Sequence, residues 1–358
     1  MITLSEECRL AFCVGVGGVG KTTFAAALGL SEALRGRSVL VLTADPARRL
    51  ADALGVGTLR NAPSRVSLPS PGRGALHAAM LETKASADDI IRRAAEDDGR
   101  AQRVLDNRIY QAFSNTLARS HAYAAMERVH EAINDDSYDL VVVDTPPAQS
   151  SIEILDAPDR LVRFLDQRVV RWFLQASGDS PERRRGTLAQ RLLQTVAGDS
   201  LVSALTDFLT EMSFLREGFA RRASEVGEVM RSSDARFILV SSADSVGIEA
   251  AKSVASEIVE REFILSHVVF NRAFIAEVDL ASEAPPTYPE RLGSIAPRLV
   301  AMHGMLAAEL ARKATNIAEF CERYPAPAWS LPEATRPLGD PSALAAWIEL
   351  GRAANRAS

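Results

Sequence analysis

Five short stretches of the chain are apolar at nearly every position and rich in bulky or β-branched side chains, the pattern of buried strands. They are Leu10–Val14 (LAFCV), Ser38–Thr43 (SVLVLT), Tyr138–Val143 (YDLVVV), Phe237–Ser241 (FILVS) and His267–Phe270 (HVVF). Ala75–Glu82 is a further candidate strand, and WSLP at Trp329–Pro332 precedes a loop. Between the strands the apolar spacing turns helical. An alanine-rich helix opens at Lys21 and meets a stop at Gly36, and LADALG after Arg49 continues in helical register. Residues 60–74 carry Pro, Gly, Ser and Arg and read as an exposed loop. Two long helical excursions follow, over about residues 85–132 and 151–232, then a helix over Ile295–Arg323 and a terminal one near Ser342–Ala354. The second excursion holds two apolar-faced segments, DRLVRFLDQRVVRWFLQ and LVSALTDFLTEMSFLREGF, separated by the polar GDSPERRRG. Those faces fit either an internal core or a surface for a hydrophobic partner. Only Met212 and Met230 fall here, so the methionine-rich surface of promiscuous binders is missing.

The turn between the first strand and the first helix carries the chemistry. Gly15, Gly17, Gly18 and Gly20 precede Lys21-Thr22-Thr23, and the spacing fits G-x-x-x-x-G-K-[ST], the phosphate-binding P-loop. Glycines let the backbone N–H groups of Gly17, Gly18, Val19 and Gly20 converge on phosphate oxygens, and the helix N-terminus adds partial positive charge. Lys21 is expected at the β- and γ-phosphates, the Thr22 hydroxyl on Mg²⁺ and Thr23 at the α-phosphate. A glycine turn without a ligand is the plainer alternative, but the strand before, the helix after and the spaced Lys-Thr speak for a nucleoside triphosphate.

Two carboxylates end other strands. Asp45 follows SVLVLTA, where loops at the carboxyl ends of strands face a ligand in open α/β sheets. It can address a phosphate or an attacking water, and it equally fits a cap for a helix begun by Pro46; the roles are compatible. Asp144 ends YDLVVVD and opens Asp144-Thr145-Pro146-Pro147. An apolar run ending in Asp downstream of a P-loop has the form of a strand whose carboxylate holds Mg²⁺, directly or through water.

Composition narrows the setting. Hydrophobic residues make up 47% and charged residues 24% of the 358, ordinary for a soluble globular protein with a real core. The net charge of −5 sets up no global field for nucleic acid or an anionic membrane. No apolar run approaches the roughly 18 residues of a membrane span, and the first strand leads straight into the P-loop without a signal-peptide pattern. A cytoplasmic protein without stable membrane insertion is the expectation. Cys8, Cys13 and Cys321 form no CxxC pair and read as reduced thiols.

Taken together, VGVGGVGKTTFAAAL, VLVLTADPARRLADALG and YDLVVVDTPP resemble, in order, three blocks of the arsenite-pump and guided-entry ATPase family, within the MinD/ParA-type P-loop ATPases. HVVFNR and WSLPEATRPLGDPSAL are similar to two more, and the likeness runs over about residues 10–345. The resemblance implies a three-layer α/β fold: a twisted, mostly parallel sheet with helices on both faces, in one P-loop ATPase domain over 1–358. The two excursions would form a helical subdomain within it. It further implies ATP as the nucleotide, Asn271 and Pro332 near the adenine, and Asp45 orienting or deprotonating the attacking water. The Asp144 loop would couple loss of the γ-phosphate to movement. The partner would be a second copy or a paralogous ATPase in a dimer, with a hydrophobic client protein.

Three departures qualify that picture. Relatives place a lysine where Val16 stands, and it reaches the phosphates of the partner subunit, so slow hydrolysis or a charge lent by a partner is expected here. The zinc-binding CxxC of guided-entry dimers is absent, as is the cysteine trio that takes arsenite, which disfavours metalloid efflux. The function expected is a Mg²⁺-dependent ATPase cycling between dimer conformations. The alternatives are a nucleotide-gated binding module or chaperone with little turnover, and a subunit of a hetero-oligomer.

Overall fold

The computed structural model describes residues 2–45, 47–70, 72–81, 88, 91, 92, 97–107, 110, 111, 121–146, 156, 218, 220–275, 293 and 295–354. The chain divides into two compact units, one of residues 1–80, 136–151 and 230–358 and another of 81–135 and 152–229.

The first unit is built on a nine-stranded sheet. Its strands are β1 (Leu10–Val14), β2 (Ser38–Thr43), β3 (Ser64–Val66), β4 (Ala75–Met80), β5 (Leu140–Asp144), β6 (Ala235–Ser242), β7 (Leu265–Phe274), β8 (Ala328–Pro332) and β9 (Arg352–Ala353). They lie in the order β3-β4-β2-β5-β1-β6-β7-β8-β9. The seven inner strands run parallel, and the short edge strands β3 and β9 pair antiparallel with β4 and β8. This is the α/β fold with the mostly parallel sheet that the resemblance implied.

The near-continuous apolar runs reflect burial on both sheet faces. Along β1, Ala11 and Cys13 face the core beneath α1 (Lys21–Leu34), while Phe12 points the other way and stacks on Phe237, ring centroids 4.9 Å apart. Small residues let α1 lie close to the sheet: a Cβ on Gly29 would meet Val41 Cγ2 at 2.4 Å. The short α2 (Arg49–Ala53) packs on α1, as does α7 (Pro341–Glu349), whose Trp347 Nε1 donates to the Pro332 carbonyl over 3.0 Å. On the opposite face lie α5 (Ser245–Glu260) and α6 (Ala296–Arg323), with Phe320 of α6 edge-on to Phe270 of β7.

The strands expected at 10–14 and 38–43 have those bounds, and the others differ by a few residues at their ends. Three elements went unanticipated. β3 lies inside the stretch read as loop, and β9 inside the stretch read as the terminal helix, which stops at Glu349. The third is α5, capped by the Asp244 carboxylate on Gly247 N at 2.9 Å. Gly36, at φ 107°, follows the end of α1 as expected.

In the second unit, α3 (Asp98–Asp106), α4 (His121–Ile133) and the helical residues 220–229 are described. Ala125, Met126 and Val129 of α4 are buried, as are Ala223 and Val226. Two pairs between residues 95 positions apart tie these segments, Arg222 Nε to Glu127 Oε2 at 2.8 Å and His130 Nε2 to Glu225 Oε2 at 2.6 Å. Most of the remainder of the excursions expected over 85–132 and 151–232, including GDSPERRRG, lies outside the described residues, as do Pro46 and Pro147. Among the described residues no helix is long and apolar enough to cross a membrane, and no cluster of three metal-ligating side chains occurs.

Candidate functional site

The sheet order brings the sequence-predicted residues together. β2, β5 and β1 are neighbours, with Thr43 opposite Asp144 and Asp144 opposite Cys13. Asp45, Asp144 and the P-loop therefore all emerge at the carboxyl ends of adjacent parallel strands, where open α/β sheets bind ligands. β6 and β7 flank β1 on its other side, with Ser242 opposite Asn271.

The loop from Gly15 to Gly20 takes a positive φ that favours glycine at Gly15, Gly18 and Gly20. Gly15 has φ 149°, and a Cβ there would stand 2.0 Å from the Val240 carbonyl oxygen. Gly20 has φ 92° and precedes the first turn of α1, whose leading N–H groups take no side-chain cap. Lys21, only 7% exposed, folds back along the loop and donates from Nζ to the Val16 carbonyl over 2.8 Å. Burial lowers its pKa, while the carboxylates of Asp144 and Asp45 favour its charged form. Thr22 and Thr23 are half-buried in the same turn.

Asp144 is 1% exposed and accepts a 2.8 Å hydrogen bond at Oδ2 from the Thr43 hydroxyl. Burial pushes its carboxyl up to about 6, against the hydroxyls of Thr22 and Thr43 and the charge of Lys21, which pull it down. Oδ1 is buried and has no hydrogen-bond partner. A buried carboxylate oxygen left bare beside a threonine hydroxyl and a lysine is chemistry that fits Mg²⁺ or a water on it. Thr145, next in the chain, anchors the loop by donating from its hydroxyl to the Cys13 carbonyl over 2.8 Å.

Asp45 differs from the expected cap. α2 starts at Arg49, and Asp45 lies upstream of it, accepting from Ala47 N at Oδ1 over 2.9 Å in a local turn. Its Oδ2 accepts from Arg49 Nη1 over 3.3 Å, and its own N–H is held by the Thr43 hydroxyl at 3.2 Å. Thr43 thus bridges the two carboxylate loops. Neither Thr43 nor Arg49 was singled out by sequence reasoning; a hydroxyl closing an apolar run two residues before an Asp was the signal for the first.

On the β6–β7 side, a cavity of about 500 Å³ opens beside the loop. Val16, Gly17, Gly18 and Val19 line it, together with Asp244, Asn271, Arg272, Lys313 and Glu333. The volume suits a nucleoside-sized group. Asn271 is 7% exposed; its Nδ2 donates to the Val19 carbonyl over 2.9 Å and its Oδ1 accepts from Arg272 N over 2.8 Å. The side chain therefore braces the P-loop. Pro332 is buried at the end of β8, one residue before the cavity-lining Glu333.

Residues 8–284 match the family model described as anion-transporting ATPase. The chain is 28% identical over 169 residues to a putative arsenical pump-driving ATPase of Halobacterium salinarum, covering 45% of this chain and 25% of that protein. It is 33% identical over 154 residues to the arsenical pump-driving ATPase of Escherichia coli, covering 42% and 23%. With the ATPase get3 of Aspergillus terreus it shares 25% identity over 274 residues, covering 76% and 75%. The match thus spans about a quarter of the pump-driving relatives and three quarters of the fungal one.

Proposed function

The chain belongs to the anion-transporting ATPase family, and we propose that this protein is a Mg²⁺-dependent ATP hydrolase. The observation that carries the proposal is the convergence of Lys21, Asp45 and a buried Asp144 with a bare Oδ1 on one P-loop. In this reading the N–H groups of Gly17, Gly18, Val19 and Gly20 cradle the phosphates, Lys21 takes the β- and γ-phosphates and Thr23 the α-phosphate. Lys21 would exchange the Val16 carbonyl for phosphate oxygens. Thr22 and Asp144 would hold Mg²⁺, which neutralises phosphate charge and orients the transferred group. Asp45 positions the water, and Asn271 and Pro332 border the base.

The reaction is attack of water on the γ-phosphorus with departure of ADP. Binding and hydrolysis would drive a conformational change in a dimer of this chain, or of this chain with a paralogue, that handles a hydrophobic client protein. Metalloid efflux is not part of the reading. Cys8 and Cys13 are buried in the core, and burial raises both thiols above their ordinary pKa, which makes them poor thiolate ligands.

A nucleotide-gated binding module with little turnover is the second reading, favoured by Val16 and by the engagement of both Asp45 oxygens. Mg-ATP titration and single-turnover hydrolysis separate the two. Lys21→Ala is expected to lose productive ATP binding, and Asp45→Asn to keep binding but lose most turnover. Unchanged affinity and turnover in Lys21→Ala would remove the P-loop reading. A wild type that binds Mg-ATP without single-turnover hydrolysis would favour the gated module.

A further inference from the structure

Asp45 holds two different partners. Its Oδ1 is fixed by a backbone N–H two residues on, whereas its Oδ2 is held only by a side chain, the Arg49 guanidinium at 3.3 Å. Arg49 is the first residue of α2, and its side chain is 67% exposed. An exposed i,i+4 ion pair is weak, and a guanidinium prefers a phosphate that it can grip with two N–H groups. The field of Arg49 already reaches the loop, since it works against the charge of Lys21. The loop's own residues from Gly15 to Gly20 supply no second cation, Val16 being apolar.

We propose that Arg49 is a catalytic residue supplied by the same chain: with ATP bound, its guanidinium leaves Asp45 Oδ2 and takes an oxygen of the γ-phosphate. This rests on the ATPase reading above. One movement then does two things. It brings positive charge to the group being transferred, and it frees Oδ2 to face the attacking water. As the water oxygen bonds to the γ-phosphorus, the bond from phosphorus to the ADP oxygen breaks with its electron pair leaving on ADP. The water proton passes to Asp45 and from there to the released phosphate. In the nucleotide-free protein the same ion pair keeps Asp45 occupied.

The test uses the full chain and three variants, Arg49→Ala, Arg49→Lys and Arg48→Ala, the last removing an equal charge one residue away. Single-turnover hydrolysis is measured alongside equilibrium affinity for Mg-ADP with and without aluminium fluoride, which mimics the transferred phosphoryl group. Arg49→Ala is expected to lose at least about 100-fold in rate and in the affinity gained from aluminium fluoride, with Mg-ADP affinity unchanged. Arg49→Lys should recover part of both, and Arg48→Ala should stay near wild type. Wild-type rates or faster turnover in Arg49→Ala would overturn the proposal, because the arginine would then only restrain Asp45. An equal loss of Mg-ADP affinity would also overturn it, as a general charge effect. A wild type that neither binds nor hydrolyses Mg-ATP would instead remove the ATPase reading itself, and this proposal with it.

Discussion

The Thr43 hydroxyl donates to Asp144 Oδ2 over 2.8 Å, so the ends of two neighbouring parallel strands are joined by a side-chain bond inside the sheet. The bond satisfies one carboxylate oxygen and leaves the other bare and buried. A carboxylate kept in that condition is costly to ionise until a cation arrives.

That cost has a definite pH signature. Burial pushes the carboxyl of Asp144 up to about 6 in the folded protein, from the ordinary 3.8 of an exposed aspartate. Between those values the folded protein keeps a proton that the unfolded chain gives up, so this group's contribution to stability falls as pH rises from about 4 to about 6. At neutral pH, Asp144→Asn should therefore raise the stability of the nucleotide-free protein, by up to about 3 kcal/mol, while abolishing Mg²⁺-dependent nucleotide affinity. In the wild type, Mg²⁺ binding should weaken below pH 6, where the proton competes. Thermal denaturation at pH 5 and 7.5, with Mg²⁺ titration at both, checks this. An Asn variant less stable than wild type at both values, or Mg²⁺ affinity flat across the range, would contradict it.

Gly20→Ala tests the fit between the loop and its brace. Its Cβ would stand 2.4 Å from Asn271 Nδ2, at a backbone φ of 92° that alanine rarely adopts. The substitution is expected to cost about 1–3 kcal/mol of stability and at least about tenfold in nucleotide affinity. Asn271→Ala should relieve the collision but not the backbone strain, so the double variant should be less impaired than the sum of the singles. A double-mutant cycle by chemical denaturation reads this directly. Strict additivity would mean that Asn271 does not press on the loop.

Val16→Lys tests the geometry implied by the family resemblance. Val16 is half-buried at the edge of the cavity, and its carbonyl receives Lys21. If a partner subunit's phosphates come within reach, the new ammonium should speed hydrolysis or tighten ATP-dependent dimerisation. Turnover against protein concentration, with mass by light scattering, measures both. No gain in either would count against carrying that arrangement over to this chain.

Much of the architecture was legible because both sheet faces are buried. LAFCV and SVLVLT are uninterrupted apolar runs, and their strand bounds follow from them directly. β3 and β9 lie at the sheet edges, where no second face needs covering, and SRV and RA carry no such run. α5 carries helical spacing behind the Asp244 cap, but Gly247 in its first turn and the small alanines and serines of SVGIEAAKSVASEIVE make its apolar stripe faint beside the two strong strands that bracket it. The P-loop and the two aspartates were legible as motifs. Their setting was not: whether Asp45 holds Ala47 and Arg49, or caps a helix, depends on where α2 starts, and a five-residue helix leaves little periodicity to read. The bond from Asn271 to Val19 joins residues 252 positions apart, a distance at which no local pattern exists.

That last bond also bears on how the protein comes into being. A chain growing from its N-terminus has Lys21, Asp45 and Asp144 early, but β1 is without its β6 neighbour until residue 235 and beyond are made, and the P-loop is without its brace until Asn271 follows. Contacts so far apart in the chain form late and slowly. A nascent chain halted before residue 271 therefore carries Lys21, Asp45 and Asp144 and still lacks the side chain that holds the loop in shape, so the bracing of the loop waits until the far side of the sheet has been made.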